Sequence, residues 1–266
     1  LSSNITMQPS NTCLLQNLNL KTNLRGDGLP QGKLNINLNG NATITPNSAE
    51  INPLNLKLNA SQVSGNLAVT DFTRMATNFN LKAQPFNYDN LSGNATIKGN
   101  LTAATPATTP ALNQLNGNIS LDVNNGAYQG INIPFFVNTA LALIDKQTPP
   151  PMTGGNQTTF DNLHASFSMK NGTAYNQDFR ISSPIINATG SGNINLVAQT
   201  ISFGLLISSA TSNNIYAQNI PLNISGTLSK PTASLDTTQI LQKVLKNEAQ
   251  KQLGNAINEL TSKLFQ

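Results

Sequence analysis

The chain has 266 residues, with 15 Lys and Arg against 11 Asp and Glu, for a formal net charge of +4. Charged residues make up only 10%, against roughly 25% in an average globular protein, and 41 asparagines fill much of the polar set. Three arginines (Arg25, Arg74, Arg180) and no tryptophan argue against nucleic-acid binding, which needs clustered Lys and Arg to neutralise phosphates. The single cysteine, Cys13, excludes an internal disulfide and a cysteine metal cage. The single histidine, His164, removes His-pair metal sites, and its alternating surroundings mark it as an ordinary strand residue. The carboxylates are too scattered to suggest a paired acid/base site. No catalytic residue, metal site or cofactor is expected.

From residue 16 to about 230 the chain alternates. Leu34, Ile36 and Leu38 are interleaved with Asn35, Asn37 and Asn39; Leu54, Leu56 and Leu58 with Asn55 and Lys57; Phe79 and Leu81 with Asn80 and Lys82. Period two puts successive side chains on opposite faces, which predicts half-buried strands. A Gly-Asn pair followed by alternating apolar residues recurs at Gly40, Gly65, Gly93, Gly117 and Gly192, spaced 25, 28, 24 and 75 residues apart. That period predicts about one hairpin per repeat, with glycine permitting a bulge or a tight strand entry. Asn125-Gly126 and Asn171-Gly172 have the composition of tight hairpin turns. Thr102–Pro110 is a candidate subdomain boundary, and Lys146–Asn156 a Pro- and Gly-rich loop.

Two helices interrupt the strands. The first is predicted near 134–146, with Pro134 at its start. Its apolar stretch, Ile133–Ile144, falls short of the ~20 residues of a membrane span. The second, 237–264, carries Leu241, Leu245, Leu253, Ile257 and Leu260 at helical spacing, with Asp236 or Thr237 as N-cap. It either closes the end of the sheet or docks on a partner. The division expected is 1–110 as a repeated-hairpin segment, 111–235 as a second β region with the inserted helix, and 236–266 as the C-terminal helix.

From Leu115 onward the blocks Leu115–Ile133, Phe160–Asp178, Ile181–Leu196 and Ile220–Pro231, followed by the last helix, resemble the C-terminal region of the AsmA family of bacterial envelope proteins. The order and spacing of the blocks carry the likeness; residues 1–110 fit only as repeats of the same style. The resemblance implies a long antiparallel sheet curled into a half-pipe, with an apolar concave face that binds or conducts phospholipid or another envelope lipid. It also implies a periplasmic location in a parent anchored in the inner membrane by an N-terminal segment, a role in outer-membrane biogenesis, and no catalytic residues. A membrane-protein partner at the C-terminal helix is a further expectation. The Asn richness, the scarcity of Arg and the long loop around Pro151 depart from the family pattern.

The fold class expected is therefore mainly β: a repeated-hairpin antiparallel sheet forming an elongated groove, with a short inserted helix and a long amphipathic C-terminal one. The groove candidates are Leu34, Ile36, Leu38, Leu54, Leu56, Leu58, Leu67, Val69, Phe79, Leu81, Ile97 and Leu101. The same residues could equally form the core of a closed sandwich or barrel. A different class of protein, a structural or adhesive surface protein of parallel β-helix type, shares the low charge and the 25-residue period. Runs of six to nine alternating residues and the C-terminal helix weigh against it.

Overall fold

The computed structural model describes residues 2–7, 11–25, 33–88, 90–103, 111–152, 155–212 and 214–264. Fourteen strands follow one another: β1 (Ser2–Met7), β2 (Cys13–Arg25), β3 (Lys33–Ile44), β4 (Ala49–Leu58), β5 (Ser61–Asp71), β6 (Ala76–Tyr88) and β7 (Leu91–Ala103). Then come β8 (Leu115–Gln129), helix α1 (Ile133–Ile144), β9 (Gln157–Lys170), β10 (Thr173–Ser182), β11 (Ile186–Asn195), β12 (Thr200–Ser209), β13 (Ile220–Thr227), β14 (Lys230–Leu235) and helix α2 (Thr237–Leu264). All belong to one sheet in which each strand pairs antiparallel with its sequence neighbours. Such a ladder rules out the parallel β-helix.

Among the described residues no ladder joins β1 to β14, so the sheet is open and not a closed barrel. The mainly-β fold expected, one antiparallel sheet with a short inserted helix and a long C-terminal one, is present. In the C-terminal part the apolar face is covered. There α1 packs against β9, β12, β13 and β14, burying Ile133, Val137 and Ala140 against Ile186, Ile207 and Ile220. Burial of this kind is worth ~1.5–3 kcal/mol per large aliphatic side chain. Over β2–β6 most face residues stay half-buried.

The expected repeat is visible in the hydrogen bonds. Asn41 Oδ1 accepts from Asn17 N at 3.1 Å and Asn59 Oδ1 from Asn35 N at 2.9 Å, each 24 residues apart. Gly40, Gly65 and Gly93 fall on alternate strands, β3, β5 and β7, so one period is one hairpin there. Gly117 comes one strand later, on β8, because the residues between Ala103 and Leu115 take up the length of a strand within the same period. At Gly65 the backbone has φ +148° and an added Cβ would stand 2.0 Å from the Asn80 carbonyl oxygen, so only glycine fits. Pro53 and Pro85 lie where the register of β4 and β6 shifts, the places where a missing N–H is tolerated.

Asn171-Gly172 makes the β9–β10 turn, with φ of 49° and 75°, as expected. Asn125-Gly126 does not turn. It is a register irregularity inside β8, which runs on to Gln129, with Asn125 at φ 50°; Gly126 lies so close to the Phe160 ring that a Cβ would meet it at 2.6 Å. The β7–β8 ladder continues the sheet across the expected subdomain boundary; residues 104–110, with Pro106 and Pro110, lie outside the described residues.

Both helices sit where predicted. Asn132 caps α1, accepting from Phe135 N at 3.0 Å. Asp236 caps α2, its carboxylate accepting from Gln239 N at 3.0 Å and Gln239 Nε2 at 2.8 Å, which satisfies one of the unpaired amides of the first turn. Among the described residues no helix is long and apolar enough to cross a membrane.

Candidate functional site

Residues directly opposite each other across a ladder share a face, so the register can be followed from strand to strand. One row runs Leu20, Leu38, Leu56, Val63, Ala83, Ala95 from β2 to β7. It continues Val123, Leu163, Ile181, Ala188, Ile207, Ile220 from β8 to β13. Twelve consecutive strands thus contribute one aliphatic residue each to a single line on one face. A second row passes from Leu54 through Gly65 to Leu81, Ile97, Leu121 and Ala165.

Apart from Leu34, the predicted groove residues lie on this face. Ile36 stands opposite Leu58, Leu38 opposite Leu56, and Leu67 between Ile51 and Phe79. Val69 pairs with Ala49 and Thr77, Leu81 with Ile97, and Leu101 with Thr77 and Gly117. Leu34 pairs with Leu24 in the backbone ladder; its side chain lies outside the described residues. Leu54 is buried, at 3% exposure, while Ile36, Leu38, Leu56, Leu58 and the others are half-buried. The opposite face carries the amides and lysines, with Asn35, Asn39, Asn55 and Lys82 exposed.

An apolar concavity lies farther along than the predicted residues. There, beside the start of α1, the face forms a half-open cavity of about 230 Å³, with walls that include Leu121, Leu163, Phe167, Phe179, Phe203 and Leu205. Leu91 on β7 and Pro231 on β14 mark its two sides. Its lining is apolar apart from Thr158 and the Tyr128 phenol. The Thr158 hydroxyl donates to the Ile131 carbonyl at 2.7 Å and accepts from Ile133 N at 2.9 Å. Sequence reasoning stopped at Leu101, although the alternation of Ile201, Phe203 and Leu205 carried the same signal. What the pattern lacked was the position of α1, which turns an open face into a pocket.

A polar cluster occupies the other face of β8–β10. His164 Nδ1 lies 2.6 Å from Asp122 Oδ1, and Nε2 lies 3.3 Å from Asp178 Oδ2. Asp178 also accepts from Ser166 N at 2.8 Å, Asn176 Nδ2 at 2.7 Å and the Ser166 hydroxyl. Burial works to raise the Asp178 carboxyl, but the bonds from Ser166 and from His164 outweigh it and hold the group below the usual carboxylate range. Carboxylates scattered in sequence are thus gathered around the one histidine, which is more than an isolated strand residue. Ser166 and His164 both point at Asp178, so the arrangement links three strands and does not activate the hydroxyl as a nucleophile, which would need the ring to accept from it. Among the described residues no group of three His, Cys, Asp or Glu could hold a metal ion.

No family model matches the chain and no solved structure matches it. Protein AsmA of Escherichia coli (strain K12) is 24% identical over 225 residues, covering 77% of this chain and 36% of the relative. The chain is similar to AsmA at that level. The likeness takes in more than the stretch from Leu115 onward, so it reaches into the repeated hairpins of the first half. The chain spans about a third of AsmA's own length.

Proposed function

We propose that this chain is the lipid-handling part of an AsmA-like envelope protein, with its apolar sheet face holding acyl chains and no chemistry performed on them. The observation that carries this reading is the unbroken aliphatic row from Leu20 to Ile220 across twelve strands. An apolar face half-exposed over β2–β6 must otherwise be left to water, and hydrocarbon chains laid across it would remove that area from solvent. The groove residues are Leu34, Ile36, Leu38, Leu54, Leu56, Leu58, Leu67, Val69, Phe79, Leu81, Ile97 and Leu101, extended by the cavity beside the start of α1. The ligand is phospholipid or another envelope lipid, and the setting is the periplasm, in outer-membrane biogenesis. An N-terminal inner-membrane anchor of the parent belongs to the same reading.

A membrane-protein partner is proposed for α2. Its first turns dock through Ile240, and Lys243 Nζ donates to the carbonyls of Ile215 and Gln218. Farther along, Leu245, Leu253, Ile257 and Leu260 are between 53% and 69% exposed.

The test is native mass spectrometry and lipid extraction of the chain purified without detergent, for wild type and for Leu38→Asp with Leu56→Asp. Copurifying phospholipid, lost in the double variant while the fold is kept, supports the reading. A lipid-free protein that takes up nothing from phospholipid vesicles refutes it and leaves a sheet acting through protein contacts.

A further inference from the structure

We propose that the cavity beside the start of α1 is a discrete seat for the terminal segment of a single hydrocarbon chain, and that it forms the end stop of the apolar track. This inference rests on the lipid-handling reading and narrows it to one place, one chain and one end of that chain.

Three observations carry it. The first is continuity. Leu81, Ile97 and Leu121 stand directly opposite one another on β6, β7 and β8, and Leu121 is itself part of the cavity wall. A chain lying along that row is led into the cavity without crossing a polar position. The second is chemistry. The Thr158 hydroxyl has both its bonds within the protein, and no charged side chain is among the lining residues. A phosphate, glycerol or carboxylate placed inside would lose its hydration for little in return, so the headgroup stays outside and the methyl end goes in. The third is size. An apolar cavity of about 150 Å³ lined by such side chains stays dry and accepts benzene, with six carbons. By proportion 230 Å³ accepts roughly nine carbons of one chain, and not a two-chain lipid.

The closed end is firmly built. Beyond the Thr158 bonds, Asn132 Nδ2 donates to the Gly155 carbonyl at 2.7 Å, and Asn156 Nδ2 donates to the Gly130 carbonyl at 2.7 Å. These bonds tie the last residues of the α1–β9 connection to the segment that leads into the helix. The wall that faces the arriving chain is therefore a fixed stop and not a moving lid.

The experiment is isothermal titration of the chain with a series of straight-chain carboxylates from six to sixteen carbons, each below its micelle concentration. Affinity is expected to rise about fourfold per added methylene up to about nine carbons and then level off. Ala165→Phe, which fills the cavity from a wall residue only 2% exposed, moves the levelling to shorter chains; Asn55→Asp, at an exposed position on the opposite face, leaves it in place. Leu121→Phe is the second filling variant should Ala165→Phe fail to fold by circular dichroism. Affinity that climbs to sixteen carbons and ignores both filling variants overturns the end stop while leaving the open-face reading intact. No binding at any length, together with no copurifying lipid, overturns both.

Discussion

Two leucines in the same sheet face distinguish a lipid surface from a closed core. Leu222 on β13 is fully buried, at 0% exposure, opposite Leu205 and Leu235. Its truncation to alanine removes atoms that are wholly out of water and leaves a hole that the sheet and α1 can only partly close, at a cost of about 2–5 kcal/mol. Leu56 on β4 faces the same side, opposite Leu38 and Val63, but is half-buried. Only part of its ~1.5–3 kcal/mol burial value is realised, so Leu56→Ala should cost about 1 kcal/mol. At roughly 2–4 °C per kcal/mol for a chain of this size, the melting temperature should fall by roughly 4–20 °C for the first variant and roughly 2–4 °C for the second. Thermal unfolding followed at 218 nm in lipid-free buffer measures both. Equal losses would mean that the face over β4 is packed as tightly as that over β13, and the lipid surface proposed there would have no physical basis. Added lipid should stabilise wild type by mass action and stabilise Leu56→Asp less.

Thr158→Val keeps the shape of the side chain but orphans the Ile131 carbonyl and Ile133 N–H at the start of α1; a loss of about 2–6 kcal/mol is expected in urea unfolding. Asp178 has its carboxyl held below the ordinary range in the folded state. It therefore contributes stability above its unfolded pKa near 3.8, and that contribution is lost as pH falls through the lower folded value. The stability gap between wild type and Asp178→Asn should be open at pH 7 and narrow below about pH 4; a gap that widens in acid would contradict the assignment. Leu253→Gln with Ile257→Gln should shift stability by no more than about 0.5 kcal/mol each, because both sites are exposed, while abolishing any partner capture that depends on α2.

The strands were legible because alternation is a local signal: every run of aliphatics interleaved with Asn or Lys became a strand, and both helices and the Asp236 cap fell where spacing placed them. The irregularities were not. At Asn52-Pro53 the register shifts, so Ile51 joins Leu54 and Leu56 on one face in spite of its odd number; a parity count along the chain drops it. Asn125-Gly126 has turn composition in a place where β7 and β9 continue on both sides and keep β8 extended. The cavity and the His164 cluster depend on groups far apart in sequence. Asp122 and His164 are 42 residues apart and meet only once the β8–β9 register is known. The cavity needs Ile131 and Ile133, at the start of α1, set against strands that come after them in the chain. Periodicity says which face a residue occupies, and it is silent on what covers that face.

The strictly sequential strand order has a consequence for how such a chain can change in length. Each strand borders only its predecessor and its successor, so removing two adjacent strands restores the original direction of travel. Excising β4 and β5 would bring Leu38 directly against Ala83, the next member of its own row. The face, the polarity and the C-terminal pocket would survive, and the track would shorten by two strand widths, roughly 9–10 Å. Duplication of a hairpin would lengthen it by the same step. Reach, in this architecture, is a quantity that can be adjusted in whole hairpins without redesigning either end.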